Sequence, residues 1–228
     1  MTEIIYNEQN STKKSIIFDM DGTLFQTNKV LEISLLETFN CLESINEWNG
    51  EMPIEKYRKI MGAPLPKVWE ILLPDHSQEV RKFTDSFFLK VLIENIKNGK
   101  GALYPHVEDV FSYLRDNNWS IFIASNGLKE YLKTIVSFYQ LDNWIFDFYS
   151  IEEIESLDKS NLVEFILRKY NIQKGAIVGD RISDINAAKD NGLVSIGCNF
   201  DFAREEELSK ADYVIDDLIE LKSIIHKL

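Results

Sequence analysis

Ile16-Ile17-Phe18-Asp19-Met20-Asp21-Gly22-Thr23-Leu24 is the stretch that decides how this chain folds. An apolar run empties two carboxylates, one residue apart, into a segment that opens with glycine and threonine. The apolar half predicts a short buried strand, and the glycine and threonine suit a tight turn rich in backbone amides. Two acids at the end of a buried strand are costly unless a partner offsets their charge. A hard cation, with a phosphate contacted by loop amides, supplies that offset. The stretch therefore points to metal-assisted phosphoryl chemistry, with one aspartate free to act as a nucleophile. A calcium loop would need glycine at its sixth position and glutamate at its twelfth. Counted from Asp19, those positions hold Leu24 and Val30.

Working outward, residues 121–124, 176–178, 194–196 and 213–215 repeat the apolar pattern of 16–18. Amphipathic helical patterns lie between most of them: the run from His106 to Leu114, then Leu132, Ile135, Val136 and Tyr139, then Leu162, Phe165 and Ile166. This alternation predicts an α/β fold, an open parallel sheet with helices on both faces. Ligands of such sheets bind beyond the carboxyl ends of the strands. Residues 28–98 break the alternation. Leu31, Leu35, Phe39, Leu42 and Ile45 share one helical face, and Val80, Phe83, Phe87 and Val91 another. The expected organisation is a core of residues 14–27 plus 99–228, an all-helical insert over 28–98 packed on Trp48, Trp69, Phe87 and Phe88, and a leader over 1–13.

The chain has 228 residues, 45% hydrophobic and 27% charged, which is ordinary for a globular protein with a sizeable core. Its net charge of −12 argues against nucleic acid or an anionic membrane as a partner. No apolar run approaches the roughly 18 residues of a membrane helix. Cys41 and Cys198 are too far apart for a disulfide framework or metal-ligand spacing, so two reduced thiols and a cytoplasmic setting are expected. His76, His106 and His226 also lack ligand spacing.

Three further sites fall at predicted strand ends or helix starts: Ser125-Asn126-Gly127 after 121–124, Lys159 before a helix, and Gly179-Asp180-Arg181-Ile182-Ser183-Asp184 after 176–178. Parallel topology brings all of them to the edge that holds Asp19 and Asp21. Four such motifs in this order resemble the haloacid dehalogenase (HAD) superfamily over residues 15–218, in its phosphoglycolate phosphatase and beta-phosphoglucomutase-like group.

The resemblance implies a Rossmann-like three-layer parallel-sheet core with an inserted helical cap. It implies a Mg²⁺-dependent phosphatase acting on a small phosphorylated metabolite through an aspartyl-phosphate. Asp19 resembles the nucleophile and Asp21 the general acid/base. Thr23, Ser125, Asn126, Gly127 and Lys159 would hold the phosphoryl group. Asp19, the main-chain carbonyl of Asp21, and Asp180 would bind the metal, with Asp184 close behind. The Asp21-Gly22-Thr23 sequence favours phosphoesters over halides and phosphonates. A phosphosugar mutase and a non-catalytic regulatory protein are the competing readings. Arg58, Lys59, Lys67 and the Met61-Gly62-Ala63-Pro64 loop are the candidates for substrate selection.

Overall fold

A computed structural model of the chain describes residues 13–60 and 65–228. The Met61–Pro64 loop and most of the expected leader lie outside the described residues. Lys13, assigned to the leader, opens the first strand.

In chain order the elements are β1 (Lys13–Phe18), α1 (Asn28–Ser44), α2 (Ile54–Ile60), α3 (Leu65–Leu72), α4 (Gln78–Lys97), α5 (Val107–Asp116) and β2 (Ser120–Ser125). Then come α6 (Lys129–Phe138), β3 (Asp147–Ser150), α7 (Lys159–Tyr170), β4 (Ile172–Gly179), α8 (Ile182–Asp190) and β5 (Val194–Cys198). The chain ends with α9 (Glu205–Leu208), β6 (Tyr213–Ile215) and α10 (Leu221–Ile225). The six strands form one parallel sheet in the order β3-β2-β1-β4-β5-β6. No helix among the described residues is long and apolar enough to cross a membrane.

The two-residue period of a strand sorts the apolar runs onto two faces. Ile16, Phe18, Ile121, Ile123 and Val178 pack with residues of α5, α6 and α10. Ile17, Phe122, Ala124 and Ile177 pack with Leu162, Val163 and Ile166 of α7 and Ala187 and Ala188 of α8. Strands buried on both faces read as continuous apolar runs, which is why β1, β2, β4 and β5 are visible in the sequence. β6 is an edge strand with Val214 exposed, but its Tyr-Val-Ile run is still apolar. The sixth strand, β3, is not visible. It is a four-residue edge strand, Asp-Phe-Tyr-Ser, paired only with β2 and half covered.

The helices between β1 and β2 follow the faces that periodicity suggests only in part. In α1, Leu31, Leu35, Phe39 and Leu42 are buried as expected, but Ile45 is 47% exposed. In α4, Val91 is buried as expected and Val80 packs on the core, but the face between them is off by one position. Phe83 is exposed and stacks on Phe87, while Thr84, Phe88, Val91, Leu92 and Asn95 are buried. The two polar members tolerate burial because their hydrogen bonds are made. Thr84 donates to the Val80 carbonyl (2.8 Å), and Asn95 donates to Ser34 Oγ of α1 (3.0 Å). Trp69 packs edge-on against Phe88 and donates to Asp85 (2.7 Å).

The chain leaves and rejoins the sheet layer through one narrow neck. Gln26 N–H donates to the Ala102 carbonyl (2.8 Å) and Tyr104 N–H to the Leu24 carbonyl (2.9 Å). Phe25 and Leu103 form an antiparallel bridge. Gly101 is required here, since a Cβ would lie 2.4 Å from the Phe25 ring.

Candidate active site

The register pairs Phe18 of β1 with Ile123 of β2 on one side and Val178 of β4 on the other. The residues just past these strand ends therefore meet at one edge. Asp19 N–H continues the pairing by donating to the Val178 carbonyl (2.8 Å). The chain then turns sharply, with the N–H groups of Leu24 and Phe25 both donating to the Met20 carbonyl (3.0 and 2.9 Å). Gly22 stands at φ +77°, and a Cβ there would lie 2.6 Å from Asp180 Oδ2. Only glycine meets both conditions.

Asp180 directly follows β4, and Asp184 sits in the first turn of α8. Asp19, Asp180 and Asp184 are all buried, and each offers a carboxylate oxygen within 4.8 Å of the others. Lys159 opens α7, capped by Asp158, and its buried ammonium pairs with Asp19 and with Asp184 (2.5 Å). One lysine faces three buried carboxylates. Burial pushes the Asp19 carboxyl up to about 7, with the charges of Asp184 and Asp21 adding to the rise and Lys159 opposing it. Burial, then Asp19 and Asp184, drive Asp180 well above the carboxylate range. Burial also opposes the charge on Lys159, but the two carboxylates outweigh it and hold the ammonium above the usual lysine range. Asp180 Oδ1 is buried with no hydrogen-bond partner. A buried carboxylate oxygen without a partner, beside two more acids, fits a hard divalent cation.

Asp21 sits in different surroundings. Its Oδ1 accepts from Thr27 Oγ1 (2.6 Å) and from the Tyr131 hydroxyl (2.5 Å). Burial raises its carboxyl, against the lowering effect of these two donors. Burial and the charge of Asp21 keep Tyr131 well above the usual phenol range, so it remains a neutral donor. Neither Thr27 nor Tyr131 was singled out in the sequence. A signal for Tyr131 existed: it lies four residues after Gly127 in the helix that follows β2. A Cβ on Gly127 would lie 3.1 Å from its ring.

Ser125, Asn126 and Gly127 face the same cavity, of about 320 Å³, as Asp19, Asp21, Lys159, Asp180 and Asp184. Gly127 N–H donates to Ser125 Oγ (2.9 Å), and Ser150 donates to the Gly127 carbonyl (2.7 Å), fixing the loop. Thr23 is not brought to the cavity: it is fully buried, with a hydroxyl that has no hydrogen-bond partner. Arg58, Lys59 and Lys67 are not brought there either. Arg58 is paired with Glu32 and with Glu55 (2.6 Å), Lys67 is paired with Glu70 (2.9 Å), and Lys59 is exposed. His106 pairs with Asp109 (3.0 Å) away from the cavity.

Residues 16–198 match the family described as haloacid dehalogenase-like hydrolase. The chain belongs to this family. Among similar proteins, the pyrophosphatase PpaX of Anoxybacillus flavithermus is 22% identical over 92% of this chain and 96% of its own length. The phosphoglycolate phosphatase of Vibrio parahaemolyticus is 22% identical over 93% of this chain and 96% of its own. A solved Haemophilus somnus structure, described as a predicted phosphoglycolate phosphatase, superposes with a TM-score of 0.81 at 18% identity. It covers 95% of this chain and 100% of that one. This haloacid dehalogenase-like hydrolase thus shares its fold with proteins named as phosphatases, while its sequence has diverged far from theirs.

Proposed function

We propose that this hydrolase is a Mg²⁺-dependent phosphomonoesterase acting on a small phosphorylated metabolite in the cytoplasm. The observation that carries the reading is the contrast between two neighbouring carboxyls. Asp19 is ion-paired to Lys159, and Asp21 is held apart by two hydroxyl donors. Paired acids in unlike surroundings suit unlike roles.

Asp19 attacks phosphorus and forms an aspartyl-phosphate while the ester P–O bond breaks. Asp21, whose burial favours the protonated form, gives its proton to the leaving oxygen. Asp21 then takes a proton from water, whose oxygen attacks the aspartyl-phosphate, releasing phosphate and restoring Asp19. Thr27 and Tyr131 aim the Asp21 carboxyl through both steps. Ser125 and the amides of Asn126 and Gly127 hold phosphoryl oxygens, at the start of α6 where the helix dipole favours an anion. Lys159 offsets charge on Asp19 and on the phosphoryl group. Asp19, the main-chain carbonyl of Asp21, and Asp180 would hold Mg²⁺, with Asp184 beside them. When bound, the ion neutralises the excess negative charge of these carboxylates and of the phosphoryl oxygens. Residues 28–98 act as a cap over a core of 14–27 plus 99–228.

The test is phosphate release from 4-nitrophenyl phosphate with and without Mg²⁺. Activity that requires Mg²⁺ and falls by at least ~10³-fold in Asp19→Asn is expected, as for removal of a nucleophile. Undiminished turnover in that variant would sink the reading.

A further inference from the structure

The cavity has two chemistries. Its acidic side is the strand-end cluster. The opposite wall is built by Leu31 of α1, Tyr57 of α2, Leu65 of α3, and Phe88, Leu89 and Leu92 of α4. Ile151, Leu157 and Phe202 continue the apolar surface. Among the described residues, the lysines and arginines facing the cavity are Lys159 and Arg181. Lys159 is committed to Asp19 and Asp184, and Arg181 pairs with Glu207 (3.1 Å). Glu152 adds a negative charge, its carboxylate accepting from Lys129 N–H (2.6 Å).

A leaving group with its own carboxylate or second phosphate would lose water against this wall and find no counter-charge, a cost that burial imposes on any unpaired ion. The wall instead offers rings and leucine side chains. Leu157 adds an independent sign. It is 56% exposed at the cavity and stands at φ +51°. A bulky residue held in the left-handed region is strained, and such strain clusters at ligand sites. An apolar group in the cavity would cover this side chain.

We propose that the substrate is the phosphomonoester of an uncharged, apolar alcohol, with a leaving group about the size of one ring. The assignment rests on the phosphatase reading above. Cavity size agrees: about 150 Å³ accommodates a benzene molecule, so 320 Å³ leaves space for a phosphoryl group beside it. In the reaction, water replaces the alcohol on phosphorus. The ester P–O bond breaks, the alcohol oxygen leaves with a proton, and inorganic phosphate forms.

The experiment compares kcat/KM for benzyl phosphate, phosphoglycolate and pyrophosphate with Mg²⁺. The first two release primary alkoxides, so their ratio reports on the wall rather than on leaving-group chemistry. Benzyl phosphate is expected to lead both others by at least about tenfold, the discrimination available from one or two apolar contacts. Leu157→Arg, at an exposed position, is expected to shift the phosphoglycolate-to-benzyl ratio upward by about tenfold. A readout free of turnover is thermal stabilisation by benzylphosphonate against phosphonoacetate, where the larger shift is expected from benzylphosphonate. Phosphoglycolate or pyrophosphate turned over as well as benzyl phosphate overturns the apolar-alcohol assignment and leaves the phosphatase reading intact. No phosphate release from these three or from 4-nitrophenyl phosphate overturns both.

Discussion

The two sides of the cavity were built under different constraints. The strand-end side consists of the residues to which the proposed mechanism assigns roles, namely Asp19, Asp21, Ser125, Lys159 and Asp180, each placed by a strand or helix terminus. The helical side consists of Leu31, Tyr57, Phe88 and Leu92, which are buried residues of the helical core and cavity wall at once. Substitution on the first side should alter the rate for every substrate. Substitution on the second should alter stability and the order of substrates.

After Asp19, the largest expected effect is at Lys159. Lys159→Met should lower kcat by about 10²–10³-fold with every phosphate ester, the usual loss on removing one preorganised electrostatic partner. Loss confined to one ester, measured across a panel, would show that the two sides are not separate in function. On the helical side, Phe88→Ala should cost about 3–5 kcal/mol by leaving a void against Trp69 and Tyr57. In a chain of this length that is a fall in Tm of roughly 6–20 °C by calorimetry. A normal Tm would mean that Phe88 serves the cavity alone.

Tyr131→Phe tests the boundary between the sides, because the residue sits on α6 and donates to Asp21. It should lower kcat by about tenfold, the upper value for one hydrogen bond between neutral groups, and leave KM nearly unchanged. An equal rise in KM would move Tyr131 from positioning Asp21 to holding substrate.

The smallest effect lies away from the cavity, on β3. Burial raises the Asp147 carboxyl, but the Tyr149 and Tyr170 hydroxyls, Phe148 N–H and the charge of Lys169 outweigh it and hold it below the usual range. A depressed carboxyl contributes stability above its unfolded pKa, and that contribution is lost as pH falls through the folded value. Asp147→Asn should therefore lower Tm by about 1–2 °C at pH 7, a small effect since the site is partly exposed and screened, with the difference shrinking as pH falls below the unfolded carboxylate value of 3.8. An undiminished difference at pH 3 would remove charge as the cause.

The same contrast explains what the sequence disclosed. Asp19, Asp180 and Ser125 follow apolar runs buried on both faces, so strand and site residue announce each other. The helical wall does not announce itself. Leu31, Phe88 and Leu92 have the spacing of ordinary core residues, and nothing in a period of 3.6 tells a cavity wall from packed interior. Part of the buried face of α4 is not legible because Thr84 and Asn95 look like surface residues, yet both satisfy their hydrogen bonds inside. Arg58 and Lys67 look like anion ligands when charge is read alone, but Glu55 and Glu70 lie three residues away on the same helices and are legible as their partners, while Glu32, the second partner of Arg58, is visible only in space. β3 escaped notice because it opens with Asp147 and ends with Ser150, so no apolar run marks it, whereas the other edge strand, β6, reads Tyr-Val-Ile.

The paired neck at Leu24–Gln26 and Ala102–Tyr104 has a mechanical consequence. Both ends of the helical segment are bonded to each other before either reaches the helices. The ladder fixes where a hinge motion of the four helices would pivot, and such a motion would also have to break the hydrogen bond from Arg204 to the Lys59 carbonyl (2.6 Å) and the packing of α4 on α6. The Phe25 ring lying against Gly101 serves as the pin of that hinge.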